Sequence, residues 1–73
     1  MRISYDKEVD ALYINLRDVK PSHGVDIEEG VTVDVDAEGH IVGIEVLDAA
    51  ERLGLEALLN VSIENMPSEQ ALA

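Results

Sequence analysis

The chain has 73 residues, with 5 Lys and Arg against 16 Asp and Glu, and its formal net charge is −11 at pH 7. This length allows one domain with a small core, and the negative charge repels nucleic-acid phosphates and anionic lipids, so we expect neither a nucleic-acid nor a membrane partner. A basic protein is the partner that such a charge attracts, although solubility alone also accounts for it.

The composition also bears on the compartment. The chain has no cysteine, so it offers neither disulfides nor thiolate metal sites. The N-terminal stretch MRISYDKEVD lacks the apolar run of a signal peptide, and no segment is long enough to cross a bilayer. We therefore expect a cytoplasmic location.

The first two predicted elements are strands. Ile3 and Tyr5 alternate with polar residues, and a charged turn follows. Residues 11–16, ALYINL, place Leu and Ile on one face and Ala11 and Tyr13 on the other, which predicts a central strand covered on both sides. One helix cannot cover both faces of a sheet. Either the C-terminal segment or a second subunit must do so, and we expect a homodimer.

Residues 18–24, DVKPSHG, have the composition of a loop, and Val25 and Ile27 then allow a short third strand. Residues 30–47, GVTVDVDAEGHIVGIEVL, follow as two strands joined by a tight turn, because their apolar residues recur with a period of two.

The turn of this hairpin has two possible registers. A three-residue turn with a bulge pairs Asp36 with His40 and uses Gly39 in the left-handed conformation. A four-residue loop pairs Asp36 with Ile41 and sets valines opposite Val42, Ile44 and Val46. We expect the four-residue loop, because it keeps the apolar residues of both strands on one face.

The C-terminal part is predicted to be helical. Asp48 can cap a helix that starts at Ala49, and Glu51 completes a capping-box-like pattern. Gly54 can end this helix before a second turn at 56–59, and Asn60 ends the pattern. Residues 61–63 could add an edge strand, either to their own sheet or to that of a partner. We expect residues 1–64 to form one α+β domain, a meander of about four antiparallel strands followed by a helix, and residues 65–73 to form a flexible tail.

Two segments, YDKEVDALYINL and VDVDAEGHIVGIEVLDAAERL, resemble the bacterial and archaeal family known as domain of unknown function 2283. The similarity spans about residues 3 to 53. The positions that carry it are Tyr5, Asp6, Asp10, Ala11, Leu12, Tyr13, Ile14, Asp34, Asp36, Gly39, Val42, Gly43, Ile44, Glu45, Leu47 and Asp48. The resemblance implies a compact antiparallel sheet followed by a helix, and it implies no established activity. Toxin-like partners of such small proteins are an analogy only.

The hairpin sequence DVDAEGHIVGIE matches the spacing of an EF-hand calcium loop, with carboxylates or glycine at five positions: Asp34, Asp36, Glu38, Gly39 and Glu45. EF-hand loops lie between helices, however, whereas residues 31–33 alternate as a strand. We therefore expect an acidic hairpin turn with no specific metal site.

Other candidate chemistry is weaker. His23 and His40 are expected to be exposed loop residues, because neither has a recognisable nucleophile or orienting partner in the sequence. Asp34 and Asp36 could share acid–base work, but an acidic chain produces such pairs by chance. Gly43 is expected to let a neighbouring group approach its strand, and Glu45 to be exposed or paired with Arg2 or Arg52 across an interface. No catalytic, cofactor-binding or metal residue is assigned.

The sequence therefore predicts a non-enzymatic homodimeric interaction or structural module. The alternative is an acidic, antitoxin-like protein or inhibitor that neutralises a basic partner. A third and weaker possibility is an enzyme or metal-binding protein that uses the acidic hairpin.

Overall fold

A computed structural model of the chain describes residues 1–64. It contains one antiparallel sheet of five strands followed by two short helices, which confirms the α+β class. The strands are β1 (Arg2–Asp6), β2 (Ala11–Asn15), β3 (His23–Glu28), β4 (Val31–Val35) and β5 (Ile41–Leu47). The helices are α1 (Ala49–Leu53) and α2 (Leu55–Leu59).

The strand order in the sheet is β1-β2-β5-β4-β3. Strands β3, β4 and β5 form a meander, and β5 then returns to pair with β2 rather than continuing outward. The expected meander of about four strands is therefore a five-strand sheet with β5 at its centre. Since β5 is bonded on both sides and carries the apolar residues of the hairpin, the centre of the sheet is also its most buried part.

The β4–β5 hairpin combines the two registers that the sequence allowed. At the turn, the Asp36 N–H donates to the His40 carbonyl at 2.9 Å and Gly39 has φ of 85°, so the expected four-residue loop is wrong there. Further along, Val33 pairs with Ile44 and Val31 with Val46, as the four-residue loop requires. A bulge at Val42 absorbs the difference of one residue and restores the apolar side chains to one face.

Helix α1 starts at Ala49 as expected, but its cap is not the expected one. Asp48 has φ of 53° and its side chain makes no capping hydrogen bond. A residue in the left-handed conformation lacks the extended backbone from which an N-cap side chain reaches back to the first turn. Gly54 does end the helix, with φ of 84° and its N–H donating to the Ala50 carbonyl at 2.8 Å.

The remaining C-terminal expectations have different outcomes. Asn60 follows α2 and ends it, as expected. Residues 61–63 do not join the sheet of their own chain within the described residues, and pairing with a partner stays a prediction. The predicted flexible tail at 65–73 lies outside the described residues.

Candidate functional site

The apolar face of the sheet is its most extensive surface feature. Pairing across the strands places apolar residues in two adjacent rows, because directly opposed residues share one face. The first row runs through all five strands: Val25, Val33, Ile44, Ile14 and Ile3. The second row consists of Val31, Val46, Leu12 and Tyr5, and it ends at Glu28 on the edge strand. These nine uncharged side chains are called the apolar face below.

This face is only partly covered. At its two edges, Ile3 is 46% exposed and Val25 is 44% exposed. The hydrophobic residues that are buried in the described chain are Leu12, Val35, Val42 and Ala49. Leu53, Leu55 and Leu59 of the two helices are themselves exposed. These three leucines therefore do not form a closed layer over the sheet.

The opposite side of the sheet is polar. One row consists of Asp26, Thr32, Glu45, Tyr13 and Ser4, and the next consists of Gly24, Asp34, Gly43, Asn15 and Arg2. These ten residues are called the polar face. The expectation that β2 carries two apolar faces is therefore wrong, because Tyr13 lies on the polar face beside charged and polar side chains.

Tyr13 and Gly43 are neighbours on the polar face. A Cβ added at Gly43 would lie 2.6 Å from Cζ of Tyr13 and 2.9 Å from the Ile14 carbonyl oxygen. The tyrosine ring thus lies across the glycine, which confirms the expectation that Gly43 admits a neighbouring group. The Tyr13 hydroxyl donates to Oδ2 of Asp34 at 3.0 Å. Burial of the Tyr13 hydroxyl is the main cause that raises its pKa, and the hydrogen bond to Asp34 raises the pKa further.

The acidic hairpin turn is organised around Asp36. Its Oδ1 accepts hydrogen bonds from the Glu38 and His40 N–H groups at 3.0 and 2.9 Å. Its Oδ2 lies 2.8 Å from Nη2 of Arg17, whose Nε donates to the Ile41 carbonyl at 2.7 Å. The guanidinium and the two N–H groups hold the pKa of Asp36 at about 2. Arg17 therefore links the hairpin turn to the end of β2, and the sequence pattern did not predict this role.

These contacts separate the residues of the EF-hand-like spacing. Asp34 and Glu45 lie on the polar face, while Asp36 binds Arg17 and turn backbone. The segment is a strand, a turn and a strand, which confirms the predicted conformation. The side chains of Asp34 and Asp36 thus bind different partners, and this arrangement does not pair them for acid–base work. In residues 1–64 no group of three or more His, Asp or Glu side chains is placed to hold a metal ion.

The two histidines lie apart. His23 opens β3, where it is opposite Val35, so its expected place in a loop is wrong. His40 follows the hairpin turn, where its Nε2 lies 4.0 Å from Oε2 of Glu38 and both side chains are largely exposed.

Asp10 is a structural residue that local sequence patterns missed. Its Oδ1 accepts a hydrogen bond from the Ala50 N–H at 2.8 Å, and its carbonyl accepts one from the Ala49 N–H at 3.0 Å. The Tyr5 hydroxyl donates to the same carboxylate at 2.7 Å. The N–H of Ala50 and the Tyr5 hydroxyl lower the pKa of Asp10. Asp10 therefore caps α1 from the β1–β2 turn.

Arg52 fixes the other side of α1. Its guanidinium donates to the Leu47 carbonyl at 2.9 Å and to the Glu29 carbonyl, and its Nη1 lies 3.7 Å from Oε2 of Glu28. Within one chain, Arg52 thus binds residues of the β3–β4 turn and does not pair with Glu45.

Comparisons with known proteins extend the description only at the level of family. A family model described as "Protein of unknown function (DUF2283)" matches residues 2–49, which cover the five strands and the first residue of α1. Searches of curated proteins and of solved structures find no match. No helix within residues 1–64 is long and apolar enough to span a membrane. The sequence match covers more than half of the chain, and the chain therefore belongs to the DUF2283 family of proteins of unknown function.

Proposed function

We propose that the protein is a non-enzymatic interaction module that works as a homodimer, with the apolar faces of two copies turned toward each other. The observation that supports this most directly is the uninterrupted apolar row from Val25 to Ile3 across all five strands. A sheet with one apolar face is stable when a second layer covers that face. Helices α1 and α2 have five residues each and leave Ile3 and Val25 at its edges exposed.

The placement of charge favours a second copy of the same chain as the covering layer. Two chains that each carry a net charge of −11 repel one another unless their carboxylates are kept apart. Asp26, Asp34 and Glu45 all lie on the polar face, so they point away from an interface on the apolar face. Glu28 at the edge is balanced by Arg52. Contact through the apolar face therefore brings hydrophobic groups together and holds most strand carboxylates on the outside.

A non-enzymatic role is supported by the contacts that three aspartate side chains make within the chain. Asp36 is engaged by Arg17 and backbone N–H groups, Asp34 by Tyr13, and Asp10 by the start of α1. A general acid or base needs a free proton-transfer position next to a substrate. These three side chains instead stabilise the fold.

Light scattering coupled to size exclusion tests the dimer. We expect the native chain to elute at twice the mass of one chain at micromolar concentration. Val25→Asp and Ile3→Asp place a charge on the apolar face and should weaken association at least tenfold. Val19→Asp is the matched control, because Val19 is 43% exposed but lies in the loop between β2 and β3. A native monomer, or equal effects of Val19→Asp and Val25→Asp, would contradict the proposal.

A second candidate function uses the polar face. Its carboxylates Asp26, Asp34 and Glu45 lie on neighbouring strands and could meet a basic protein, as expected for an acidic inhibitor or antitoxin-like protein. Such a complex should dissociate as salt rises, since its attraction is largely electrostatic. A partner retained at low salt by the native chain, and lost with Asp26→Asn and Glu45→Gln, would support this function. Equal retention by both would count against it.

A further inference from the structure

We infer that the C-terminal arm of one copy, defined as residues 55–64, lies across the apolar face of the other copy, and that the two copies exchange these arms reciprocally. This inference rests on the proposed homodimer and names the segment that completes its interface. It assigns a role to the part of the chain that follows the region matched by the family model.

The arm carries apolar side chains that its own chain does not cover. Leu55, Leu59, Val61 and Ile63 are all more than half exposed. In α2 the leucines at 55, 58 and 59 have the spacing of one helix face, and Val61 and Ile63 alternate with polar residues beyond it. The arm therefore has one apolar side along its length, on which Leu58 is half-buried and the other four apolar residues are exposed within residues 1–64.

The attachment of α1 explains why the arm does not cover its own sheet. Asp10 holds the start of this helix, and Arg52 ties its last turn to the Leu47 and Glu29 carbonyls. The chain then leaves through Gly54, which has φ of 84° and no atom within 4 Å of where its Cβ would be. From there the chain continues into an arm in which Leu55 and Leu59 are exposed.

The length of the arm suits the sheet. Its five helical residues span about 7 Å at 1.5 Å per residue, and its last five residues reach up to about 16 Å when extended. Five strands about 4.8 Å apart give a sheet roughly 20 Å wide. One arm can therefore cross the whole apolar row of a partner from edge to edge.

The apolar face alone is also smaller than the area that a stable dimer interface buries. Five strands of about five residues each give a flat face of roughly 400 Å². A stable specific interface buries about 800 Å² on each partner. The four exposed apolar residues of the arm supply contact area that the sheet lacks, and a two-fold arrangement uses each arm once.

Engineered cysteines test the exchange in the full-length chain, since the native sequence has none. A tagged Leu59→Cys chain is mixed with an untagged Val25→Cys chain, both are allowed to exchange subunits, and mild oxidation follows. We expect a covalent heterodimer between the two chains, and none when Val19→Cys replaces Val25→Cys. Disulfide formation requires Cα atoms within about 7 Å, so the product reports direct proximity.

A double variant, Leu59→Cys with Val25→Cys in one chain, distinguishes exchange from folding back. Crosslinked dimers support exchange, whereas crosslinked monomers would mean that the arm covers its own sheet. Native dimers that form no arm-to-sheet crosslink would overturn this inference while leaving the proposed dimer intact. A native chain that is monomeric by light scattering would overturn both.

Single charges on the arm provide a second measurement. Leu59→Asp should weaken dimerisation at least tenfold without changing the circular dichroism of the sheet. Val9→Asp is the matched control, because Val9 is exposed in the β1–β2 turn and the charge change is the same. If the two variants dimerise equally well, Leu59 lies outside the interface and the inference is wrong.

Discussion

The carboxylate of Asp10 accepts a hydrogen bond from the Ala50 N–H at 2.8 Å, although 40 residues separate the two in the chain. This contact joins the β1–β2 turn to the start of α1. A helix start leaves N–H groups without partners, and Asp10 satisfies one of them with its side chain and another with its own carbonyl. The position of α1, and hence the direction in which the C-terminal arm leaves, depends on this contact.

Replacing Asp10 with glycine should therefore destabilise the protein more than the same change at Asp48. Both residues have φ of 53°, so glycine relieves the same backbone strain at each position, but only Asp10 makes the capping contact. Loss of a cap in a domain of this size lowers Tm by roughly 4–8 °C. Thermal unfolding at one fixed protein concentration should give Asp10→Gly a Tm lower than that of Asp48→Gly by about this amount. Equal melting temperatures would show that the cap contributes nothing.

Gly43→Ala should destabilise the sheet. The new methyl group would lie 2.6 Å from Cζ of Tyr13 and 2.9 Å from the Ile14 carbonyl oxygen, so either the ring or the backbone must move. Overpacking of this kind costs about 1–3 kcal/mol, which urea unfolding can measure.

The Tyr13→Ala background serves as the control for this substitution. Removing the ring leaves only the carbonyl contact, so Gly43→Ala should cost less there than in the native chain, and the difference measures the coupling between the two residues. An identical cost in both backgrounds would mean that Tyr13 does not restrict position 43.

The Asp36 carboxylate should make the protein sensitive to acid. Its pKa is about 2 in the folded chain, below the ordinary value of 3.8, so the folded state binds this proton less tightly than the unfolded state does. The contribution to stability is therefore complete above about pH 4 and is lost as pH falls through about 2. Urea unfolding between pH 5 and pH 2 should show this decline, and Asp36→Asn should flatten it.

Glu38→Gln is the control for the acid measurement, because it makes the same change of charge in the same turn and leaves the Arg17 contact in place. Native, Asp36→Asn and Glu38→Gln chains should be compared at one protein concentration, since dimerisation also contributes to apparent stability. If Asp36→Asn keeps the full acid dependence of the native chain, other carboxylates are responsible for it.

The strands were predictable because their signal is local. A period of two in Val31, Val33 and Val35, and again in Ile44 and Val46, depends only on which residues can share one face of a strand. The end of α1 at Gly54 also follows from a neighbouring residue, whereas its start at Ala49 matches the prediction although Asp10, and not Asp48, caps it. The resemblance to the DUF2283 family was likewise visible in two short segments and is confirmed by the match over residues 2–49.

The helix cap and the turn register depended on contacts between distant segments. Asp48 has the residue type of a cap, yet Asp10 performs that task, because the fold brings the β1–β2 turn against the start of α1. The turn closes on His40 while the strands keep the other register, since a bulge at Val42 satisfies both the left-handed Gly39 and the apolar face.

What the sequence by itself determined is therefore the strand segments between residues 2 and 47, the end of the first helix and the family. The tertiary structure decided which side of β2 is polar, which aspartate caps the helix, and that the apolar face is only partly covered. The physical reason is that alternation specifies which residues share a face, whereas the layer that covers that face is selected by long-range packing, on which residues close in sequence carry no information.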